Sequence, residues 1–249
     1  MNEEARLWWE VGADDFQAEA QIPVRVMYGT QIFEDDLQII GPVAGKHLLE
    51  IGCGGAQCGI AFAKQGAIVS GVDFSSKQLA FANKLASEHG VVITFYQHDM
   101  TQLPFINSGS QDIVFSSQAF QYVDDLLACF KEAHRVLKAG GLFVWSVGHP
   151  LFLLDAATLR PEHSYFDTGK FVLGTEVSSE PGFAFAFNRR TVSDFFNLLV
   201  DAGFTVERMI EPDRRPYDTS DPENWKWGLT PKLLSLIPSH IIFKSRKGA

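Results

Sequence analysis

The sequence predicts an α/β fold: a Rossmann-like, doubly wound sheet with helices on both faces. Two observations carry this. Between residues 45 and 150, apolar or β-branched runs alternate with helix-period segments, which implies right-handed crossovers and a parallel sheet. The first apolar run, LLEI, also enters the glycine cluster GCGG and leaves as a helical pattern. That strand–turn–helix unit places ligands at the carboxyl rim of such a sheet.

The elements follow in order. EEARLWWEVGADDFQAEAQ is helix-forming, with aromatics on one side, and FEDDLQIIGPV predicts a further helix stopped by Gly41 and Pro42. KHLLEIGC is the first strand, and QCGIAFAKQGA is a helix closed by Gly66. AIVSGVDFS is a second strand ending at Asp73. SSKQLAFANKLASEHG is then a helix with Ser75 or Ser76 as N-cap and Gly90 as terminator. VVITFYQHDM and QDIVFSSQ read as the third and fourth strands. YVDDLLACFKEAHRVLKAGG reads as a long amphipathic helix with a glycine stop, and GLFVWSVGH as the fifth strand. After Pro150 the alternation breaks, and residues 151–190 hold aromatics without a period. TVSDFFNLLVDAGF restores a helix, FTVERMIE a strand parallel to the first five, and SHIIFKS a closing strand; residues 211–238 are loop-like.

The 249 residues carry a formal charge of −9, with 46% hydrophobic and 20% charged side chains. This suits one α/β domain and a surface that repels nucleic acid, so no nucleic-acid partner is expected. No apolar stretch approaches the ~18 residues of a membrane span, and MNEEARLWWE is no secretory signal. Cys53, Cys58 and Cys129 fit neither a disulfide framework nor a zinc half-site, and the seven histidines are scattered. A reduced, cytoplasmic protein without a metal site is the expectation.

The glycine turn discriminates between cofactors. A dinucleotide turn, G-x-G-x-x-G, wants a small residue where Gln57 stands. The spacing E-x-G-x-G-x-G reads EIGCGGA, with Glu50, Gly52 and Gly54 in place and Ala56 for the third glycine. An acid before the first glycine crowds a pyrophosphate but suits an ammonium or sulfonium group. With Asp73 ending the second strand, HDMTQLPF after the third and RVLKAGG before the fifth, residues 45–150 resemble the class I S-adenosylmethionine-dependent methyltransferases, of the small-molecule, methyltransferase-11-like type.

The resemblance implies a seven-stranded sheet of order 3-2-1-4-5-7-6, its last strand antiparallel. It implies S-adenosylmethionine as cofactor, with a small-molecule acceptor as partner. Asp73 then holds the ribose hydroxyls, Asp99 the adenine amino group and Met100 offers its backbone N–H. Ser116 lends a carbonyl to the methionine ammonium, and Ser117 and Gln118 border the sulfonium. Tyr28, Cys53 and Phe74 complete the cofactor-binding candidates. Residues 1–44 become an N-terminal helical lid, 45–150 the cofactor core, and 151–190 with 211–238 cover the acceptor. Tyr165, Phe166, Trp225 and Trp227 are candidate walls, and His149, ending the fifth strand, is the candidate base. A nicotinamide-dependent oxidoreductase and a cofactor-binding module without catalysis remain as alternatives.

Overall fold

The computed structural model describes residues 3–151, 163–173, 185–213 and 230–248. Trp225 and Trp227, and most of the two expected covering segments, lie outside the described residues.

The central sheet follows from strands buried on both faces. β3 (His47–Ile51), β4 (Ile68–Asp73), β5 (Thr94–Gln97), β6 (Gln111–Ser117) and β7 (Leu137–Gly148) run parallel, joined in the order β7-β6-β3-β4-β5. β11 (His240–Lys247) adds to β7 antiparallel, and β10 (Phe204–Ile210) pairs with β11 at the far edge. Renumbered by sheet strand, this is 3-2-1-4-5-7-6 with the last strand reversed, as expected.

Side chains alternate across this sheet with period two. Leu49, Val114, Phe143 and Trp145 join the cluster under α6 (Leu126–Val136) and α7 (Val192–Asp201). Leu48, Phe115 and Val144 join the opposite cluster with Phe62 of α4 (Gln57–Lys64). Trp145 is fully buried and stacks on Phe243 at 4.7 Å between ring centroids. Side-chain caps start the flanking helices. Ser75 accepts from Gln78 N–H at the head of α5 (Ser76–Glu88), Asp125 caps α6, and Thr191 with Asp194 forms a capping box on α7.

Three expectations change. The long helix through LKAGG stops at Val136, because Leu137 turns extended and pairs with Gln111. The glycines that follow sit inside β7, where the register shifts, so they mark a bulge instead of a helix stop. FEDDLQIIGPV is barely helical. β2 (Ile32–Phe33) pairs with β1 (Met27–Gly29), and α3 covers only Glu34–Leu37. Here the Glu34 carboxylate accepts the N–H of Ile39 at 3.0 Å and of Ile40 at 2.6 Å, together with the Tyr28 hydroxyl at 2.6 Å. These bonds fold the chain back as a loop. The third strand shortens to Thr94–Gln97 because β5 is an edge with β4 as its sole partner, and Val92 before it lies in solvent.

The N-terminal helical segment splits at Gly12 into α1 (Glu3–Val11) and α2 (Ala13–Ala20). Both rest over the head of α5. Ser76 N–H donates to Glu10 at 2.9 Å, and Ser75 Oγ to the Trp9 carbonyl at 3.3 Å. Part of the aperiodic stretch after Pro150 forms an antiparallel hairpin, β8 (Gly169–Leu173) with β9 (Phe185–Arg189). α8 (Pro231–Leu234) precedes β11. No helix among the described residues is long and apolar enough to cross a membrane.

Candidate functional site

The glycine turn is held by its neighbour strand. The Gly52 and Cys53 N–H groups both donate to the Val72 carbonyl, at 2.8 and 3.0 Å. Gly52 adopts φ +66°, and a Cβ there would overlap the Ala119 methyl, so this position requires glycine twice over. Asp73 ties the second strand back to the turn. One carboxylate oxygen accepts from Gly54 N–H at 2.8 Å, the other from Ser75 N–H at 3.0 Å. Burial pushes its pKa up to about 6, against the pull of those backbone donors.

Glu50 is more unusual. Its side chain is almost wholly buried, and its Oε2 has no hydrogen-bond partner among the described protein atoms. Burial pushes its pKa up to about 8, with the Gly59 backbone N–H opposing. A Cβ at Gly59 would come within 2.5 Å of that oxygen, so a glycine inside α4 makes room for the carboxyl. A buried acid with one oxygen left without a described partner is poised for a cationic or hydrogen-donating ligand.

A cavity of about 610 Å³ runs along the carboxyl rim. At one end stand Glu50, Gly52, Gly54, Asp73, Phe74 and Gln78; at the other, Met27, Gly29, Phe33, Gly148, Ser239 and His240. From β4 to β11 the cavity crosses four strand spacings, about 19 Å at ~4.8 Å each. Trp8, Trp9 and Phe16 of the N-terminal helices close one side, with Trp9 edge-on to Phe16 at 4.8 Å and to Tyr122 at 5.6 Å. Gln17 reaches the turn itself: it donates to Gln78 at 2.8 Å and accepts from Gln57 at 2.7 Å. A Cβ on Gly55 would crowd this amide pair.

The expected residues divide. Glu50, Gly52, Cys53, Gly54, Asp73, Phe74, Met100, Ser117 and Gln118 line the cavity together. Asp99 lies in an adjoining hollow of about 280 Å³ with Phe74, Glu3 and Arg6, its carboxylate accepting from Thr101. Ser116 is buried below the rim, its hydroxyl given to the Ile51 carbonyl at 2.8 Å. Tyr28 is buried behind the wall with its hydroxyl on Glu34. His149 is also outside the lining. Its Nε2 donates to Glu211 at 2.8 Å, its Nδ1 accepts from Leu151 N–H at 3.0 Å, and burial lowers its pKa despite that glutamate. The Tyr165 hydroxyl accepts from Val192 N–H at 2.9 Å, and Phe166 is exposed.

Among the lining residues that escaped the sequence reading, besides Gln17, are Gln121 and His240. Gln121 presents a buried Oε1 without a partner among the described residues, while its amide donates to the Gln118 carbonyl at 2.7 Å. His240 opens β11. The signal for it was available: in a reversed last strand the first residue, not the last, reaches the ligand rim.

The comparisons with known proteins agree with this geometry. A family described as a methyltransferase domain matches residues 49–145. The ubiquinone biosynthesis O-methyltransferase of Ruegeria pomeroyi is 30% identical over 243 residues, covering 92% of this chain and 87% of that protein. The chain belongs to the class I S-adenosylmethionine-dependent methyltransferases. The protein of the same description from Sodalis glossinidius is 28% identical, but the match spans only 52% of its length. The crystal structure of an S-adenosylmethionine-dependent methyltransferase from Mesorhizobium loti superposes with a TM-score of 0.65 at 26% identity, covering 85% of this chain and 95% of that one. S-adenosylmethionine is thus the methyltransferase's cofactor. The site fits it. The cofactor brings an ammonium, ribose hydroxyls and an adenine amino group, and the cavity offers orphaned acceptors at Glu50 and Gln121, a carboxylate at Asp73 and a turn without Cβ obstruction at Gly52.

Proposed function

We propose that this methyltransferase transfers a methyl group to a hydroxyl on a small, apolar, ring-bearing acceptor. The observation that carries this is the cavity: its volume lies within the ~300–1,000 Å³ of small-molecule sites, and its walls away from the glycine turn include Trp8, Trp9, Phe16, Ile22, Met27 and Phe33 beside polar groups such as Gln121 and Ser239. The oxygen as target rests on the name of the Ruegeria pomeroyi relative, an O-methyltransferase of ubiquinone biosynthesis.

In this reading Asp73 takes the ribose hydroxyls, and Phe74 and Asp99 flank the adenine. Met100 adds its backbone N–H, and Gly52, Cys53 and Gly54 pass beneath the methionine moiety. Glu50 and the rim residues Ser117 and Gln118 face its charged groups, with Ser116 supporting them from below the rim and Tyr28 bracing the β1 side. The bound cofactor supplies an electrophilic methyl group on a sulfonium. The protein supplies position: an acceptor held about 3 Å from that methyl, in line with the sulfur, gains on the order of 7–11 kcal/mol from orientation. Trp8, Trp9 and Phe16 exclude water from the same space. His149, with both ring nitrogens bound, serves as an anchor of the β7 end through Glu211 in place of the base role its sequence position suggests. Residues 1–44 act as the lid and 151–190 with 211–238 as acceptor cover.

Incubation with S-adenosylmethionine and a pool of phenolic and other hydroxylated metabolites, read by mass spectrometry, tests this. A product heavier by one methyl on oxygen, with S-adenosylhomocysteine released, is expected. Methylation confined to nitrogen or carbon, or none across the pool, counts against it.

A further inference from the structure

Resting on the methyl-transfer reading and deepening it, we propose that Gln121 selects the methyl acceptor: its side-chain oxygen takes a hydrogen bond from an O–H or N–H that the acceptor keeps through the reaction.

Gln121 lies in the 3₁₀ turn Phe120–Tyr122, which joins β6 to α6 at the ligand rim. The turn is fixed from below. Phe120 is fully buried, edge-on to Phe130 at 5.4 Å and to Trp145 at 5.5 Å. Arg190 donates to the carbonyls of Phe120, Val123 and Asp124. A side chain that leaves so rigid a frame keeps its place.

The amide has one favourable orientation. Its Nε2 donates to the Gln118 carbonyl at 2.7 Å. A half-turn of the amide would set Oε1 against that carbonyl, acceptor on acceptor, so the oxygen is the end left over. Oε1 is shielded from bulk solvent and has no partner among the described residues, and the cavity is the space that Gln121 borders. A buried acceptor left unpaired costs about 1–3 kcal/mol, and a donor on the ligand removes that cost.

Charge and position decide which ligand supplies the donor. On chemistry alone, both orphaned acceptors, Glu50 and Gln121, are open to the cofactor's ammonium. A full positive charge prefers the acid at the glycine turn, whereas an amide oxygen suits a neutral donor. Gln121 also sits against Gln118, which borders the sulfonium in this reading. Beside it are Tyr122 and Trp9, edge-on to each other at 5.6 Å, as aromatic walls for a ring. Burial pushes Tyr122 up to about 12, against hydrogen bonding from Gln121 and Trp9, so this wall stays neutral. An amide oxygen accepts a hydrogen bond but does not take the proton. The group it holds is therefore one that the acceptor retains, and the reacting hydroxyl is another. A ring without that second donor leaves Oε1 unpaired and is rejected.

The test uses the full chain saturated with S-adenosylhomocysteine and two ring probes of nearly equal shape: indole, which has an N–H, and benzofuran, which has none. Calorimetry measures each probe on wild type, Gln121→Leu and Gln121→Glu. The wild type is expected to bind indole at least about tenfold more tightly than benzofuran. Gln121→Leu brings the two affinities to within about twofold, chiefly by losing indole, and changes S-adenosylhomocysteine affinity by less than about threefold. Gln121→Glu keeps an acceptor oxygen without the amide given to Gln118, so it retains the preference; a merely structural glutamine would lose it in both variants. Equal wild-type affinity for the two probes, a preference that survives in Gln121→Leu, or its loss in Gln121→Glu overturns the proposal and leaves methyl transfer standing. So does a fall of more than about tenfold in S-adenosylhomocysteine affinity in Gln121→Leu, which would give Gln121 to the cofactor. A wild type that binds neither probe, or no S-adenosylhomocysteine, removes the reading of a ring-binding methyl-transfer site instead, and the proposal with it.

Discussion

Ala56 shows at the scale of one residue how a motif departure is accommodated. It holds φ +57° at the head of α4, a left-handed conformation that costs a non-glycine residue about 1 kcal/mol or more. Its methyl is fully buried beside Cys53 and Leu79, which returns about 0.8 kcal/mol. The two effects nearly offset, so alanine is tolerated where the family pattern has glycine. Asp73 has no such latitude. Asp73→Ala removes both the hold on Gly54 and the ribose acceptor, and calorimetry should show S-adenosylhomocysteine affinity falling by at least about 2 kcal/mol, roughly thirtyfold. Glu50 and Asp73 also set a pH dependence. Both acids hold their proton to higher pH folded than unfolded, so each lowers stability as pH rises from its ordinary value through about 8 for Glu50 and about 6 for Asp73. The cofactor-free wild type should therefore lose melting temperature between about pH 5 and 8. Glu50→Gln should flatten the upper part of that slope and sit a few degrees higher at pH 8, at about 2–4 °C per kcal/mol; parallel curves for the two proteins would contradict the assignment.

Among the elements, α1 and α2 are the pieces whose docking governs access. They meet the core through polar contacts: Glu10 on Ser76, and Gln17 on Gln57 and Gln78 directly above the glycine turn. Such contacts can open at a modest cost, since a typical hydrogen bond contributes about 1 kcal/mol net. Gln17→Ala is expected to speed S-adenosylhomocysteine release and weaken binding by about fivefold to tenfold while the sheet's thermal unfolding changes little. Stopped-flow displacement reads the first effect; an unchanged release rate would assign the helices a packing role alone. β11 illustrates a second element-scale point. Its direction moves its N-terminal residue to the reactive rim, which converts an ordinary-looking strand start into part of the cavity wall.

For the whole molecule, ligand binding and folding are linked, because the cavity is assembled from β1, β3, β4, β6, β7, β11 and the N-terminal helices. S-adenosylhomocysteine at about 100 times its Kd should stabilise the fold by about 2.7 kcal/mol. For a chain of this length that is a rise of roughly 5–10 °C in melting temperature. A larger rise with NADH would restore the nicotinamide alternative.

Much of this was readable in the chain. LLEI, IVSGV and DIVFS are apolar on both faces because the sheet is covered twice, so their strands and parallel pairing follow from composition and alternation. Glu50, Gly52, Gly54 and Asp73 were legible because a tight turn admits few residues and a cationic ligand demands an acid. Contacts between distant segments left no local mark. Glu34 gathers three loop N–H groups and so overrides the helical pattern of FEDDLQIIGPV, and Leu137 is drawn into the sheet by Gln111 against the propensity of its neighbours. That His240 and not His149 lines the cavity depends on strand direction and on distant contacts. His149 meets Glu211, 62 residues away, and the His240 ring packs against Gly29, and no local sequence pattern encodes either encounter.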